Sequence, residues 1–171
     1  MVAMPVPDAA VLARREAIVA ALRAIVPGEG VIASEREMKP YESDGLTAYR
    51  QMPMVVVLPN TTEQVSAVLK YCHANGIKVV PRGAGTSLSG GALPLGDGVL
   101  LGMAKFNRIR EVDFDNRVVV VEPGVTNLAV TQAVEQAGFY YAPDPSSQIA
   151  CTIGGNVAEN SGGVHLSLIH I

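Results

Sequence analysis

The stretch Pro81-Arg82-Gly83-Ala84-Gly85-Thr86-Ser87-Leu88-Ser89-Gly90-Gly91 constrains this chain more than any other. It follows Ile77-Lys78-Val79-Val80, an apolar run that reads as a buried strand stopped at a proline. Glycine permits positive φ and lets the backbone come close to a ligand. Successive backbone N–H groups in such a loop can form an anion-binding nest. The loop is therefore read as a phosphate cradle at a strand end, with a plain turn between strands as the alternative. No Gly-Lys-Ser/Thr ending follows, so it is not a P-loop. Leu88 stands where the Gly-x-Gly-x-x-Gly dinucleotide fingerprint needs its third glycine, so that match fails too.

The residues before the loop strengthen the cradle reading. Met54-Val55-Val56-Val57-Leu58 is a continuous apolar run, as expected of a strand buried on both faces. Thr61 with Gln64 forms a capping box, Val65, Val68, Leu69 and Cys72 make one helix face, and Asn75-Gly76 ends the helix. Strand, helix and strand make a βαβ unit with parallel strands. The glycine loop then lies at a strand's C-terminal end, where open α/β folds bind ligands. Cys72 reads as core and His73 as its exposed neighbour, since adjacent helical positions point apart and do not share a metal.

Upstream, Asp8 caps a helix whose stripe is Val11, Ile18, Leu22 and Ile25, ended by Pro27-Gly28. Val31-Ile32 is a short strand, and Ser34 with Glu37 suggests a capping box for one turn. Tyr41 to Arg50 is polar and irregular, with no chemistry of its own. The second half changes character. Gly98 to Met103, Ile109 to Phe114 and Arg117 to Val121 read as strands, the last two paired antiparallel about Asp115-Asn116. Thr126 caps a helix with the face Val130, Ala133, Val134 and Ala137, ended by Gly138. The expected fold is α+β and two-lobed: a βαβ unit followed by a mixed or antiparallel β lobe with helices. A gap between the lobes would suit an elongated ligand.

Composition narrows the function classes. Of 171 residues, 49% are hydrophobic, enough for a core, and the formal net charge of −3 argues against a nucleic-acid surface. Two cysteines, Cys72 and Cys151, make no disulfide framework, which favours a reducing, cytoplasmic compartment. No apolar run is long enough to span a bilayer, and the N-terminus does not read as a secretory signal.

A second constellation lies downstream. Pro143-Asp144-Pro145-Ser146-Ser147 is rigid and polar. Thr152-Ile153-Gly154-Gly155-Asn156 and Asn160-Ser161-Gly162-Gly163 follow, around Val157-Ala158-Glu159. A brief helix with its N-terminus facing a ligand is one reading, and a second pair of turns is the other.

Taken with Pro81 to Gly91 and the preceding strand–helix–strand, these motifs resemble the FAD-binding domain of the vanillyl-alcohol oxidase/p-cresol methylhydroxylase superfamily. Within it they are most similar to the branch that holds the D-type subunit of glycolate oxidase and the FAD-linked D-lactate and D-2-hydroxyglutarate dehydrogenases. The resemblance runs from about Lys39 to His165. It implies a helical extension over 1–38, a truncated FAD-binding domain over 39–165 and an atypical tail over 166–171.

The resemblance also implies roles. Pro81, Arg82, Gly83, Ala84, Gly85, Thr86 and Ser87 would bind the FAD pyrophosphate through backbone amides, the Thr86 and Ser87 hydroxyls assisting, with Gly90 and Gly91 in the same loop. Asp144, Pro145, Ser146 and Ser147, with Thr152, Ile153, Gly154, Gly155 and Asn156, would line the other side of the dinucleotide. Glu159, Asn160 and Gly162 would lie along the same cleft. Some relatives attach flavin through a histidine in the glycine loop; Thr86 stands there instead, which implies non-covalent FAD. Cys151 is expected to serve packing. The implied reaction is oxidation of a 2-hydroxy acid, of glycolate or D-lactate type, to the 2-oxo acid. Electrons would leave through a separate acceptor such as a quinone, a cytochrome or an iron–sulfur subunit, with a peripheral place at the inner membrane as an alternative to a purely cytoplasmic one. Catalytic groups and any metal would come from a substrate domain outside this chain. Another enzyme on the same flavin domain, such as an alkyl-glycerone-phosphate synthase-like enzyme or an aldonolactone oxidase, and an inactive FAD-binding fragment are the competing expectations. Leu166 to Ile171 do not resemble the family's continuation, so a gene fragment with a non-native tail is expected.

Overall fold

The computed structural model describes residues 4–166, so the expectation about the tail lies almost wholly outside the described residues. The chain divides at Lys105/Phe106 into two compact units. In the first, α1 (Ala9–Leu12) and α2 (Arg15–Ile25) replace the single expected helix. The Asp8 carboxylate caps α1 by accepting from Ala10 N at 2.8 Å. A turn at Ala13-Arg14 separates the two helices, and the Arg15 side chain at the start of α2 reaches inward. Its guanidinium donates to Met54 O at 3.1 Å and Ala33 O at 2.5 Å.

A four-stranded sheet forms the centre of this unit. Its strands are β1 (Val31–Ile32), β2 (Val55–Val57), β3 (Lys78–Arg82) and β4 (Gly98–Gly102), in the order β1-β2-β4-β3. β2, β3 and β4 run parallel, and β1 is antiparallel to β2. β4, grouped by sequence with the second half, thus lies between the two strands of the βαβ unit. Its Gly98-Val99-Leu100-Leu101-Gly102 is buried throughout, as an apolar run without alternation requires. β3 does not stop at Pro81. Being an edge strand, it tolerates a residue with no N–H to donate and continues through Arg82.

α3 (Glu35–Met38) forms one turn, but the Ser34 side chain makes no capping bond. α4 (Thr62–Ala74) has the expected cap, Thr61 Oγ1 accepting from Gln64 N at 3.3 Å, but the return bond of the capping box is shifted by one residue: Gln64 Oε1 accepts from Asn60 N at 2.7 Å and not from Thr61 N. Val68 and Cys72 of its apolar face are buried, whereas Leu69 is exposed. Ile18, Leu22 and Val26 pack with Val55, Val57, Val68, Cys72, Val99 and Leu101 in one core. Full burial of each such aliphatic side chain contributes about 1.5–3 kcal/mol. Met38, Val56, Val80 and Leu100 form a second cluster.

The second unit opens with an antiparallel hairpin of β5 (Ile109–Asp113) and β6 (Val118–Val121), with a bulge between Ile109 and Glu111. The Asp113 carboxylate closes the turn by accepting from Asn116 N at 2.9 Å and Asn116 Nδ2 at 2.7 Å. α5 (Asn127–Val134) buries Asn127, Val130 and Val134, while Ala133 and Ala137 of the expected face are exposed. Thr126 stands at its N-cap without a side-chain bond, and Gly138 ends the run with φ 80°. α6 (Ile153–Glu159) is the expected brief helix, capped by Thr152 and closed by Asn160 in the left-handed region.

Candidate functional site

In the first unit the site begins where β3 ends. Among the described residues, the backbone N–H groups of Gly83, Ala84, Gly85, Thr86, Ser87 and Leu88 donate to no protein acceptor. Gly85 has φ +74° and Gly90 φ +78°, conformations that L side chains rarely adopt. No atom lies within 4 Å of where a Gly90 Cβ would stand. A run of unsatisfied donors on a glycine backbone is the composition of an anion nest. Thr86 is half-buried. Ser87 is buried, and its Oγ accepts from Ser89 N at 3.3 Å, so this hydroxyl serves the loop itself.

Arg82 does not extend into solvent. Its guanidinium lies against Gly85, donates to Ser43 O at 2.8 Å and to Tyr41 O and Ala92 O at 3.4 Å, and sits 5.7 Å from the Tyr41 ring centroid. Burial pulls its pKa below the ordinary arginine value, opposed by the charges of Asp44 and Tyr41. Ser87 O accepts from Leu46 N at 3.1 Å, and a Cβ on Gly45 would stand 2.8 Å from Thr86 O. Tyr41 to Leu46, irregular and without chemistry in the sequence, thus supports the loop. Ser43-Asp44-Gly45, a polar turn signal, is the only local cue to that role.

The second unit holds the other motif, with its amides used differently. Ile153 N donates to Val125 O at 2.9 Å, Gly154 N to Pro123 O at 2.8 Å, Gly155 N to Thr152 Oγ1 at 3.4 Å and Asn156 N to Thr152 O at 2.9 Å. The start of α6 is therefore satisfied by protein, and the expectation of helix amides open to a ligand is not met there. The glycines serve close packing. A Cβ on Gly154 would stand 2.7 Å from Pro123 Cβ, and one on Gly163, at φ +76°, would stand 2.6 Å from Pro145 N. The side chain of Asn156 is what stays open: it is buried, and its Nδ2 has no partner among the described residues.

Two further contacts order this motif. Asn127, absent from the sequence-derived site, is fully buried; its N–H donates to Cys151 O and its Nδ2 to Pro143 O, both at 2.9 Å. Cys151 is buried, as expected of a packing residue. Asp144 N donates to Gly162 O at 3.1 Å, and the Asp144 carboxylate meets His165 Nδ1 at 2.7 Å and accepts from His165 N at 3.2 Å. The His165 contacts hold the Asp144 carboxyl below its usual value. Pro143–Ser146 and Gly162–His165 are thereby clasped together. Ser146, Ser147, Glu159 and Asn160 make no comparable side-chain bonds among the described residues.

The second unit also contains a strong charge centre. Glu122 is buried, and its Oε1 accepts from Arg108 Nη2 at 2.9 Å and Arg110 Nη2 at 2.8 Å, while Oε2 accepts from Arg108 N at 3.0 Å. These bonds lower its pKa to about 2.

Residues 53–169 match the family model described as an FAD binding domain. The chain belongs to this FAD-binding domain family. It is 58% identical over 151 residues to glycolate oxidase subunit GlcD of Escherichia coli (strain K12), a match that covers 88% of this chain and 30% of that protein. It is 39% identical over 135 residues to a D-lactate dehydrogenase of Anaerostipes hadrus, covering 78% of this chain and 28% of that one. A solved structure of p-cresol methylhydroxylase superposes with a TM-score of 0.71 over 90% of this chain and 30% of that chain, at 24% identity. The chain thus spans about 30% of the length of these relatives. Its fold is that of the vanillyl-alcohol oxidase/p-cresol methylhydroxylase superfamily, and FAD is the family's cofactor. An FAD-binding domain requires close backbone donors for a dianionic pyrophosphate, and the free amides of Gly83 to Leu88 fit that need. Among the described residues no helix is long and apolar enough to cross a membrane.

Proposed function

We propose that this chain is the flavin-binding part of an FAD-dependent oxidoreductase that converts a 2-hydroxy acid, of glycolate or D-lactate type, to its 2-oxo acid. The observation that carries the reading is the run of free N–H groups over Gly83–Leu88, in a chain 58% identical to a glycolate oxidase subunit. These amides hold the pyrophosphate. Asp144–Ser147, Thr152–Asn156 and Glu159–Gly162 serve the remainder of the dinucleotide, with Asn156 Nδ2 as a buried side-chain donor. When bound, FAD supplies acceptance of the two electrons released from the substrate α-carbon. The chain's own residues bind and orient; none is assigned to the proton transfer, and the substrate carboxylate is recognised outside these residues. FAD is held non-covalently, because Thr86 offers no attachment chemistry. An electron-transfer subunit or quinone reoxidises the enzyme, which works in the cytoplasm or peripherally at the inner membrane.

Titration of the 171-residue chain with FAD, followed by flavin fluorescence, is expected to saturate at one FAD per chain. Acid precipitation should leave all flavin in the supernatant, and glycolate or D-lactate should not bleach the bound flavin. Absence of saturable binding would overturn the reading. Flavin retained in the pellet would overturn its non-covalent part, and bleaching by glycolate would show that the chain carries substrate groups after all.

A further inference from the structure

Arg82 opens the cofactor loop in sequence, yet its charge is directed into the protein. It is 9% exposed, and its three acceptors are the main-chain oxygens of Tyr41, Ser43 and Ala92. Its guanidinium fills the space that a Gly85 side chain would take. From the other side, Gly45 lies so close to Thr86 O and Ser87 O that a Cβ would stand 2.8 and 2.9 Å from them. Leu46 N binds Ser87 O at 3.1 Å and Asp44 Oδ1 at 2.9 Å. Two carbonyls of the loop, Thr86 O and Ser87 O, are thus turned toward the Ser43–Leu46 turn. In a peptide chain, carbonyls held to one side leave the neighbouring amides free to point elsewhere.

We propose that Arg82 and the Asp44-Gly45-Leu46 turn form a brace that sets the shape of the cofactor loop, with Arg82 a positioning residue for FAD that acts through Gly85 and not by touching the pyrophosphate. The proposal rests on the flavin reading above. The brace explains why an arginine stands next to the glycine run without offering its charge to the ligand. One guanidinium nitrogen, Nη1, donates to all three carbonyls while Nη2, Cζ and Nε occupy the space beside Gly85, and a lysine ammonium, a compact point of charge, has no planar group to fill that space. It also gives a role to a segment with no regular strand. Because the brace holds Gly83–Leu88 before any ligand arrives, the entropy of ordering the loop is lost on folding and not on binding, which raises affinity.

The test compares Arg82→Lys, Arg82→Met and Gly45→Ala in the full chain. FAD dissociation constants come from fluorescence titration, and backbone order parameters of Gly83–Leu88 from nitrogen-15 relaxation, with thermal melting, are measured without FAD. The brace predicts that Arg82→Lys and Arg82→Met both weaken FAD binding at least tenfold. Gly45→Ala, which leaves every charge in place, should do so as well. All three should lower the backbone order parameters of Gly83–Leu88 in the absence of FAD. If Arg82→Lys and Gly45→Ala bind FAD like the wild type while Arg82→Met does not, Arg82 acts as a direct charge and the proposal is wrong. If an Arg82 variant fails to fold, Gly45→Ala decides by the same two readouts. If the wild type binds no FAD, the flavin reading fails, and unchanged loop order parameters in Gly45→Ala would then refute the brace separately.

Discussion

Two glycine-bearing stretches, Gly83–Leu88 and Ile153–Asn156, look alike on paper and behave differently in space. In the first, the amides reach no protein acceptor among the described residues. In the second, the amides from Ile153 to Asn156 all donate within their own unit. The glycines differ accordingly. Gly85 supplies a left-handed turn beside Arg82, whereas Gly154 and Gly163 allow backbone to lie against Pro123, Asp144 and Pro145. Glycine richness alone does not mark a phosphate site. What marks it is whether the N–H groups are left over after the fold has taken its share.

The comparison breaks most visibly at Gly163. Gly163→Ala places a Cβ on the Asp144 main chain at a positive φ, so the second unit should lose about 3 kcal/mol of stability, read by denaturant unfolding. A variant as stable as the wild type would show that the motif does not depend on this close approach. Gly85→Ala tests the other side. Its Cβ meets the Arg82 guanidinium, and FAD affinity should fall about 100-fold, or about 2.7 kcal/mol. Unchanged affinity would separate the loop's shape from cofactor binding.

Acid should separate the two regions by another route. Glu122 has a folded pKa of about 2 against an ordinary 4.5, so between those values the unfolded chain binds more protons. The stabilisation is complete above about pH 4.5 and is lost as pH falls toward 2. Asp144, also depressed, acts in the same direction. Glu122→Gln should flatten the dependence of second-unit stability over that window, and a slope equal to wild type would show that Glu122 does not carry it. The smallest effect is expected at Gly76, which shares a positive φ of 65° but has no atom within 4 Å of its would-be Cβ. Gly76→Ala should cost about 1 kcal/mol, as a strained residue in open space does, and leave FAD affinity unchanged.

Much of this was legible in the chain. The Val55–Val57 strand, the capped helix after Thr61 and the loop after β3 follow from local patterns: a continuous apolar run, a Thr-x-x-Gln box and a glycine cluster. The order of strands was not, because insertion of β4 between β2 and β3 is a property of the whole sheet. Nor was the occupancy of the α6 amides, since the acceptors Pro123 O and Val125 O belong to a turn well upstream with no pattern of its own. The support from Tyr41–Leu46 was hidden for the same reason. Main-chain carbonyls bind Arg82 whatever side chains they carry, so composition holds no trace of them.

Amide hydrogen exchange, measured residue by residue with and without saturating FAD, tests the central claim most directly. Without FAD, Ile153–Asn156 should exchange slowly and Gly83–Leu88 quickly. On adding FAD, Gly83–Leu88 should become protected by at least tenfold while Ile153–Asn156 change little. Protection confined to Ile153–Asn156, with Gly83–Leu88 unaffected, would contradict the account.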